Sequence, residues 1–338
     1  MRVEPVEKCL LCCGTGAILY ESVRDRLFNA PGEYNFYRCR NCSFVWLSPR
    51  PVREDIQECY RDYYTHQFSQ NNRQAVFRQL RDNLRLWILH AHYGLPLKDN
   101  NKFKFFAGWF LGTMPGLLRK AAYCENVFPP WSGEGRLLDV GCGSGYFLAF
   151  MRRMGWEVSG VEIDPGAARV AREIHKIPVF QGTLDKADFP DGYFNAITMR
   201  YVIEHVYDPL DLLKECHRIL ARGGCLRVAT PNIQGLGHKI FKKDWLALDP
   251  PRHLYLWGPE TLKEALKRAG FRLLRCETSG LAAASSFMAS RQIKIKGRYD
   301  FDESVSLAAR MFGWFEMILN FFIRSSGEEV RLLACKEK

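Results

Sequence analysis

The stretch Leu137-Leu-Asp-Val-Gly-Cys-Gly-Ser-Gly-Tyr-Phe-Leu148 constrains this chain more than any other. An apolar run leads into three glycines, and a helical pattern begins directly behind them. Glycines let the backbone approach a ligand closely, and a helix N-terminus presents unpaired N–H groups at the positive end of its dipole. The spacing Gly141-x-Gly143-x-Gly145 departs from the Gly-x-Gly-x-x-Gly of a dinucleotide turn, because position 146 is Tyr. Asp139 would repel a pyrophosphate and instead favours the ammonium end of a zwitterionic ligand. A second acid, Glu162, ends the next strand-like run, where a carboxylate is placed to accept hydrogen bonds from ribose hydroxyls. Asp164 stands at a helix start and reads as a cap. The plainer alternative for the whole unit is a tight glycine turn with two capping acids.

From about residue 131 the chain alternates strand and helix patterns. Strands are expected at Arg136 to Val140, Glu157 to Ile163, Pro178 to Gln181, Asn195 to Met199, Cys225 to Ala229 and Phe271 to Glu277. Helices are expected at Tyr146 to Met154, Pro165 to His175, Pro209 to Leu220 and Pro259 to Ala269. Such alternation implies an α/β fold, a doubly wound parallel sheet with helices on both faces. Residues 280–338 read as a polar loop, an aromatic helix from Ser304 to Ile323 and a last strand at Glu329 to Lys336.

Ahead of this region lie two further parts. Residues 51–130 read as a helical linker or lid, with Val76, Leu80, Leu84, Trp87, Ile88 and Ala91 at helical spacing. Residues 1–50 carry Cys9-x-x-Cys12 and Cys39-x-x-Cys42, with 26 residues between the pairs. Four thiolates on two tight knuckles suit a tetrahedral, structural Zn²⁺ in a small zinc-ribbon-like module. Cys13 could replace Cys12, and four unbound thiols are the alternative.

The chain has twelve cysteines but neither the small size nor the leader of a secreted disulfide scaffold, which points to a reducing, cytoplasmic compartment. No apolar run reaches the roughly 18–20 residues of a membrane span. The net charge of +11 favours an anionic partner, whether nucleic acid, anionic lipid or a phosphorylated substrate. A basic protein without such a partner is the other reading.

On these motifs, residues 134–278 and the final strand resemble the class I S-adenosylmethionine-dependent methyltransferases. Leu137 to Gly145 is similar to the family's first motif, with Asp139, Gly141, Gly143 and Gly145 at the cofactor. Val161-Glu162-Ile163-Asp164 resembles the ribose-binding motif, and Gln181-Gly182-Thr183-Leu184 sits where the family contacts adenine. Phe189 to Met199, followed by Val202-Ile-Glu-His-Val-Tyr-Asp-Pro209, resembles the fourth motif of the small-molecule branch, with Asn195 where Asp is usual. Ile219 to Gly224 corresponds to the turn before the fifth strand, and Pro250 to Pro259 to a segment that usually faces substrate. The resemblance implies a Rossmann-like, seven-stranded, mostly parallel sheet whose last strand is antiparallel. The methyltransferase domain would then span 131–338, with a helical insertion at about 281–327. It also implies S-adenosylmethionine as cofactor, held by the residues named and by Met199.

The activity so implied is O- or C-methylation of a small molecule: a sugar, a quinone-like ring or a lipid-linked intermediate. Methyl transfer is an in-line displacement that needs positioning and, for many acceptors, a base. His205 and His253 are the candidates for that base, with loop-shaping roles as the alternative. Tyr201, Arg252 and Tyr255 could orient a substrate or bind an anion. Trp109, Phe110, Trp314, Phe321 and Phe322 would line a lid or touch a membrane surface. An RNA methyltransferase is the second reading, favoured by zinc and basic charge. It lacks an Asn-Pro-Pro-Tyr-type motif and an RNA-recognition signature, so nucleic acid is the less favoured partner. A non-catalytic, zinc-anchored interaction protein is the third.

Overall fold

The computed structural model describes residues 1–60, 72–93, 97, 101–114, 117, 129–130, 133–301 and 305–337. Parts of the expected helical segment (61–71 and 118–128), Ser304 and the side chain of Phe321 lie outside the described residues.

In chain order the strands are β1 (Val3–Glu4), β2 (Gly16–Val23), β3 (Tyr34–Cys39), β4 (Val45–Ser48), β5 (Arg50–Pro51), β6 (Arg136–Val140), β7 (Glu157–Glu162), β8 (Val179–Gln181), β9 (Phe194–Arg200), β10 (Leu220–Pro231), β11 (Tyr255–Leu256), β12 (Arg272–Ser279) and β13 (Glu329–Cys335). Seven of them form one sheet in the order β12-β13-β10-β9-β6-β7-β8. β6 pairs parallel with β7 and β9, and β7 with β8. β13 opposes β10: Lys336 exchanges backbone hydrogen bonds with Gly223 and Gly224, whereas Asn232 N donates to Glu328 O. The expected mostly parallel sheet with an antiparallel last strand is therefore present.

The chain divides into two compact units. One comprises Tyr64–Met199, Glu215–Arg227 and Cys335–Lys338. Its core includes β6, β7 and β9, whose apolar residues Leu137, Leu138, Val158, Val161, Ala196 and Ile197 are buried, as in a parallel sheet covered on both faces. Asp164 caps the helix Pro165–Glu173, accepting from Ala167 N at 2.6 Å, and Pro165 pre-sets its first turn. Asn72–Tyr93 and Lys102–Thr113 are paired helices. Gly108 lets them touch, since a Cβ there would lie 2.1 Å from the Trp87 carbonyl oxygen. Of the turn expected at residues 219–224, Ile219 ends a helix and 220–224 are the start of β10, because Gly223 and Gly224 bond to Lys336, just past β13.

The other unit comprises Met1–Tyr63, Arg200–Lys214 and Val228–Ala334. It holds a second, antiparallel sheet in the order β11-β4-β3-β2. Here the polar loop expected after residue 280 is replaced by a helix, Ala283–Lys296, ended by Gly297 in a left-handed conformation (φ 76°). Its buried face is partly polar: Ser286 Oγ donates to Glu328 and Ser290 Oγ accepts from Leu246 N. A further helix, Leu307–Phe322, starts at Ser306, whose hydroxyl accepts from Ala309 N.

That helix buries Glu316 completely, with Oε1 accepting from Glu328 N at 2.9 Å. Burial, helped by the neighbouring Glu328, pushes the Glu316 carboxyl from 4.5 up to about 8. A carboxyl raised in the fold binds its proton more tightly than in the unfolded chain. Its contribution is thus fully present below about pH 4.5 and is lost as pH rises through about 8. Glu316→Gln is expected to flatten that slope and to gain on the order of 1–4 kcal/mol at pH 8.5 relative to wild type. Urea unfolding at pH 5.5 and 8.5 measures it; equal slopes for both proteins would refute it.

Candidate functional site

The glycine loop follows β6 directly. Gly141, Gly143 and Gly145 all take positive φ (69°, 54° and 79°), which explains the residue type. Gly141 N and Cys142 N donate to Val161 O, tying the loop to β7. At Gly143 an added Cβ would meet nothing within 4 Å among the described residues, whereas at Gly145 it would collide with Ala171. Gly143 therefore opens its backbone outward, and Gly145 permits the following helix, Tyr146–Arg153, to pack.

Asp139 and Thr198 are register partners on β6 and β9, both buried, and the Thr198 hydroxyl donates to Asp139 Oδ1 at 2.6 Å. Glu162, at the end of β7, braces the loop. Its Oε2 accepts from Gly143 N at 2.7 Å and its Oε1 from Asp164 N at 2.9 Å. Burial raises the Glu162 carboxyl above its ordinary value, although the amides of Asp164 and Gly143 oppose the shift. Gly182 N donates to Glu162 O, bringing the chain after β8 alongside.

These groups share the carboxyl edge of β6, β7, β8 and β9. The order of succession reverses there: β7 and β8 lie to one side of β6, and β9 to the other. Such a switch point is where open α/β sheets bind ligands. The structure thus brings together Asp139, Gly141, Gly143, Gly145, Glu162 and Gly182. Ile163 beside them is exposed, and Thr183 opens a short 3₁₀ turn. Leu184 and Met199 are instead core residues, with almost no side-chain surface free for a ligand.

In the other unit, His205 and His253 lie with ring centroids 4.7 Å apart. His205 Nδ1 is 3.0 Å from Arg252 O and 3.0 Å from Tyr60 Oη; His253 Nδ1 is 2.8 Å from Ala247 O. Burial holds both imidazoles below their ordinary pKa, hence neutral at pH 7. Arg252, a sequence candidate for binding an anion, is committed elsewhere. It is wholly buried, makes two 2.8 Å hydrogen bonds to Asp25 and further bonds to Asp249, and donates to Cys59 O. Tyr255 is likewise structural, its hydroxyl donating to Tyr207 O. Tyr201 is exposed and takes a left-handed backbone (φ 55°) just past β9.

Cys9, Cys12, Cys39 and Cys42 form a cluster whose sulfurs all lie within 4.8 Å of one another. The 9–42, 12–39 and 12–42 separations are 3.5, 3.3 and 3.5 Å. Four sulfurs at about 2.3 Å from one tetrahedral ion would stand about 3.8 Å apart, so the set fits Zn²⁺. The two knuckles repeat one design. Cys13 N and Ser43 N donate back to Cys9 O and Cys39 O, and Cys13 and Ser43 are both left-handed (φ 56° and 61°). Cys13 is exposed and lies outside the cluster.

Sequence reasoning did not find Thr198, Tyr60, Asp25 or Asp249. No periodicity marks them, and their partners lie 59, 145 and 227 residues away for Thr198, Tyr60 and Asp25.

Residues 115–275 match a family model described as a methyltransferase domain. Over 104 residues the chain is 36% identical to the ubiquinone biosynthesis O-methyltransferases of Xanthomonas campestris pv. campestris and Xanthomonas oryzae pv. oryzae, covering 29% of this chain and 43% of each relative. The chain thus spans less than half the length of these relatives. Among solved structures it is similar to a SAM-dependent methyltransferase from Archaeoglobus fulgidus (22% identity, TM-score 0.45, 70% of this chain and 100% of that one). Another is an S-adenosylmethionine-dependent methyltransferase from Mesorhizobium loti (18%, TM-score 0.43, 67% and 99%). With the glycine loop at the switch point of a seven-stranded sheet and the family match across it, residues 115–275 are similar to a methyltransferase domain.

Proposed function

We propose that the protein is an S-adenosylmethionine-dependent methyltransferase that methylates oxygen or carbon on a small molecule such as a sugar, a quinone-like ring or a lipid-linked intermediate. The observation that carries this reading is the outward-open Gly143 backbone between Asp139 and Glu162. S-adenosylmethionine supplies an already activated methyl group, so the chain's task is placement. Asp139 would hold the amino group, Glu162 the ribose hydroxyls, and the backbone at Gly182 and Thr183 the adenine edge. His205 and His253, neutral at pH 7, would act on the acceptor's proton. Cys9, Cys12, Cys39 and Cys42 would hold a structural Zn²⁺.

Calorimetric titration with S-adenosylhomocysteine tests the reading. Micromolar binding is expected for the wild type, weakened at least 100-fold in Glu162→Ala. Gly143→Ala separates ligand contact from loop bracing, because its Cβ would project into open space. It should lose binding while costing roughly 1 kcal/mol of stability from the positive φ. A folded wild type that does not bind overturns the proposal.

A surface partner is suggested by the helix Leu307–Phe322. Leu307, Met311, Trp314, Phe315, Ile318 and Phe322 are all more than half exposed and recur on one stripe. Exposed Arg310 and Arg324 stand on or beside it. Among the described residues no helix is long and apolar enough to cross a membrane, but an apolar stripe with basic flanks suits an interfacial contact. Flotation with anionic phosphatidylglycerol vesicles should recover the wild type. Trp314→Ser with Ile318→Ser should lower the bound fraction at least tenfold, since each buried side chain is worth about 1.5–3 kcal/mol. Equal flotation of both proteins would exclude this contact.

A further inference from the structure

We propose that Glu204, His205 and His253 form a second metal site, one for a divalent transition ion bound through two imidazoles and one carboxylate. One ligand atom from each of the three lies within 4.8 Å of the others. Proximity alone would be weak, but three further features point to a ligand. First, both rings are anchored through Nδ1. A carbonyl oxygen only accepts, so His253 Nδ1–H donates to Ala247 O and leaves His253 Nε2 as a bare lone pair, in the arrangement by which backbone carbonyls orient metal-binding imidazoles. His205 Nδ1 stands 3.0 Å from both Arg252 O and Tyr60 Oη, which fixes the ring in place.

Second, Glu204 is 1% exposed, and only one of its oxygens is satisfied. Oε2 accepts from Thr230 Oγ1 at 2.9 Å, whereas Oε1 has no hydrogen-bond partner among the described residues. An orphaned buried carboxylate oxygen is costly and marks a missing counterpart. Third, the backbone is pinned around the group. Glu204 O accepts from Leu254 N at 2.8 Å, which fixes residues 204–205 against 253–254. Asp249 Oδ2, 3.9 Å from His253 Nε2, adds negative field.

Two imidazoles and a carboxylate suit Zn²⁺, Co²⁺ or Fe²⁺ and leave coordination positions open, unlike the closed four-cysteine set. His205 is partly exposed, so the cluster has an outer face. If the methyltransferase reading holds, the open positions would take an acceptor oxygen. The substrate class then narrows to hydroxyl-bearing small molecules, and the two imidazoles would hold the ion in place of acting as bases themselves.

The test uses Co²⁺ titrated into the metal-stripped full chain without methyl donor, followed by absorption and by bound-metal analysis. Two equivalents are expected. One shows the intense thiolate-to-cobalt charge transfer of the cysteine cluster, and the other shows only the weaker ligand-field bands of nitrogen and oxygen donors. His253→Ala should abolish the second equivalent and leave the first. Glu204→Gln, which keeps an acceptor for Thr230, should weaken it at least tenfold. One equivalent with thiolate bands alone, or a second equivalent unaffected by both variants, would overturn the proposal. S-adenosylhomocysteine binding, titrated in parallel on the same sample, keeps the methyltransferase reading standing or falling on its own.

Discussion

Arg252→Met is expected to destabilise its unit by about 3–5 kcal/mol in urea unfolding at pH 7.5, the range for breaking a buried charge network from one side. The guanidinium is 0% exposed and answers two carboxylates, Asp25 bidentately and Asp249. Removing it strands both in a low-dielectric interior. Burial would raise the Asp25 carboxyl, but hydrogen bonds and charge from Arg252, with the amides of Ala30 and Leu27, hold it below its ordinary value. A carboxyl depressed in the fold contributes stability above its unfolded pKa and loses it as pH falls. Without Arg252 only burial and the amides remain, and the variant should lose much of its deficit on acidification towards pH 5. Adding Asp25→Asn and Asp249→Asn should recover most of the loss at pH 7.5, since a neutral set carries no stranded charge. A single variant within about 1 kcal/mol of wild type would show the triad to be worth no more than a surface pair.

The second large effect concerns the cysteine cluster. Cys39→Ser is expected to release the ion, measured as zinc captured by a chromogenic chelator. It should also increase amide exchange across β2, β3 and β4. Structural zinc binding is folding energy, about 10–16 kcal/mol in isolated zinc-finger peptides, and a lost thiolate forfeits a large part of it. Cys13→Ser is the matched control: Cys13 is exposed and outside the cluster, so metal content should not change. Unaltered exchange in Cys39→Ser, or no zinc in the wild type, would show four plain thiols.

Much of the sheet could be read in advance because its determinants are local. An apolar run followed by positive-φ glycines fixes β6 and its loop, and Glu162 follows one helix and one strand later. The cysteines announce themselves by spacing. The misread segments are those whose determinants are distant. Ala283–Lys296 carries Ser286, Ser290 and Gln292 on its buried face, satisfied by Glu328, Leu246 and Asp300, so no apolar period marks the helix. Arg252 reads as a surface cation until Asp25 is found 227 positions away. Gly223-Gly224 reads as a turn because Lys336, just past β13, which makes it strand, lies more than a hundred residues downstream. Leu184 and Met199 follow their motifs in sequence, but burial leaves them only backbone with which to meet a ligand.

The two-residue strand β11 completes the sheet begun by β2, β3 and β4, with Tyr255 opposite Trp46 and Leu256 opposite Val45. On the ribosome those strands emerge some 200 residues before their last neighbour. At about 5–20 residues per second the nascent chain waits roughly 10–40 s with an unpaired edge at β4. Both cysteine pairs are already outside the exit tunnel during that wait. If the four cysteines hold zinc as proposed, early capture would give the newborn segment order before its partner strand exists, and a cell short of zinc would meet this protein first as an aggregation problem rather than as a loss of activity.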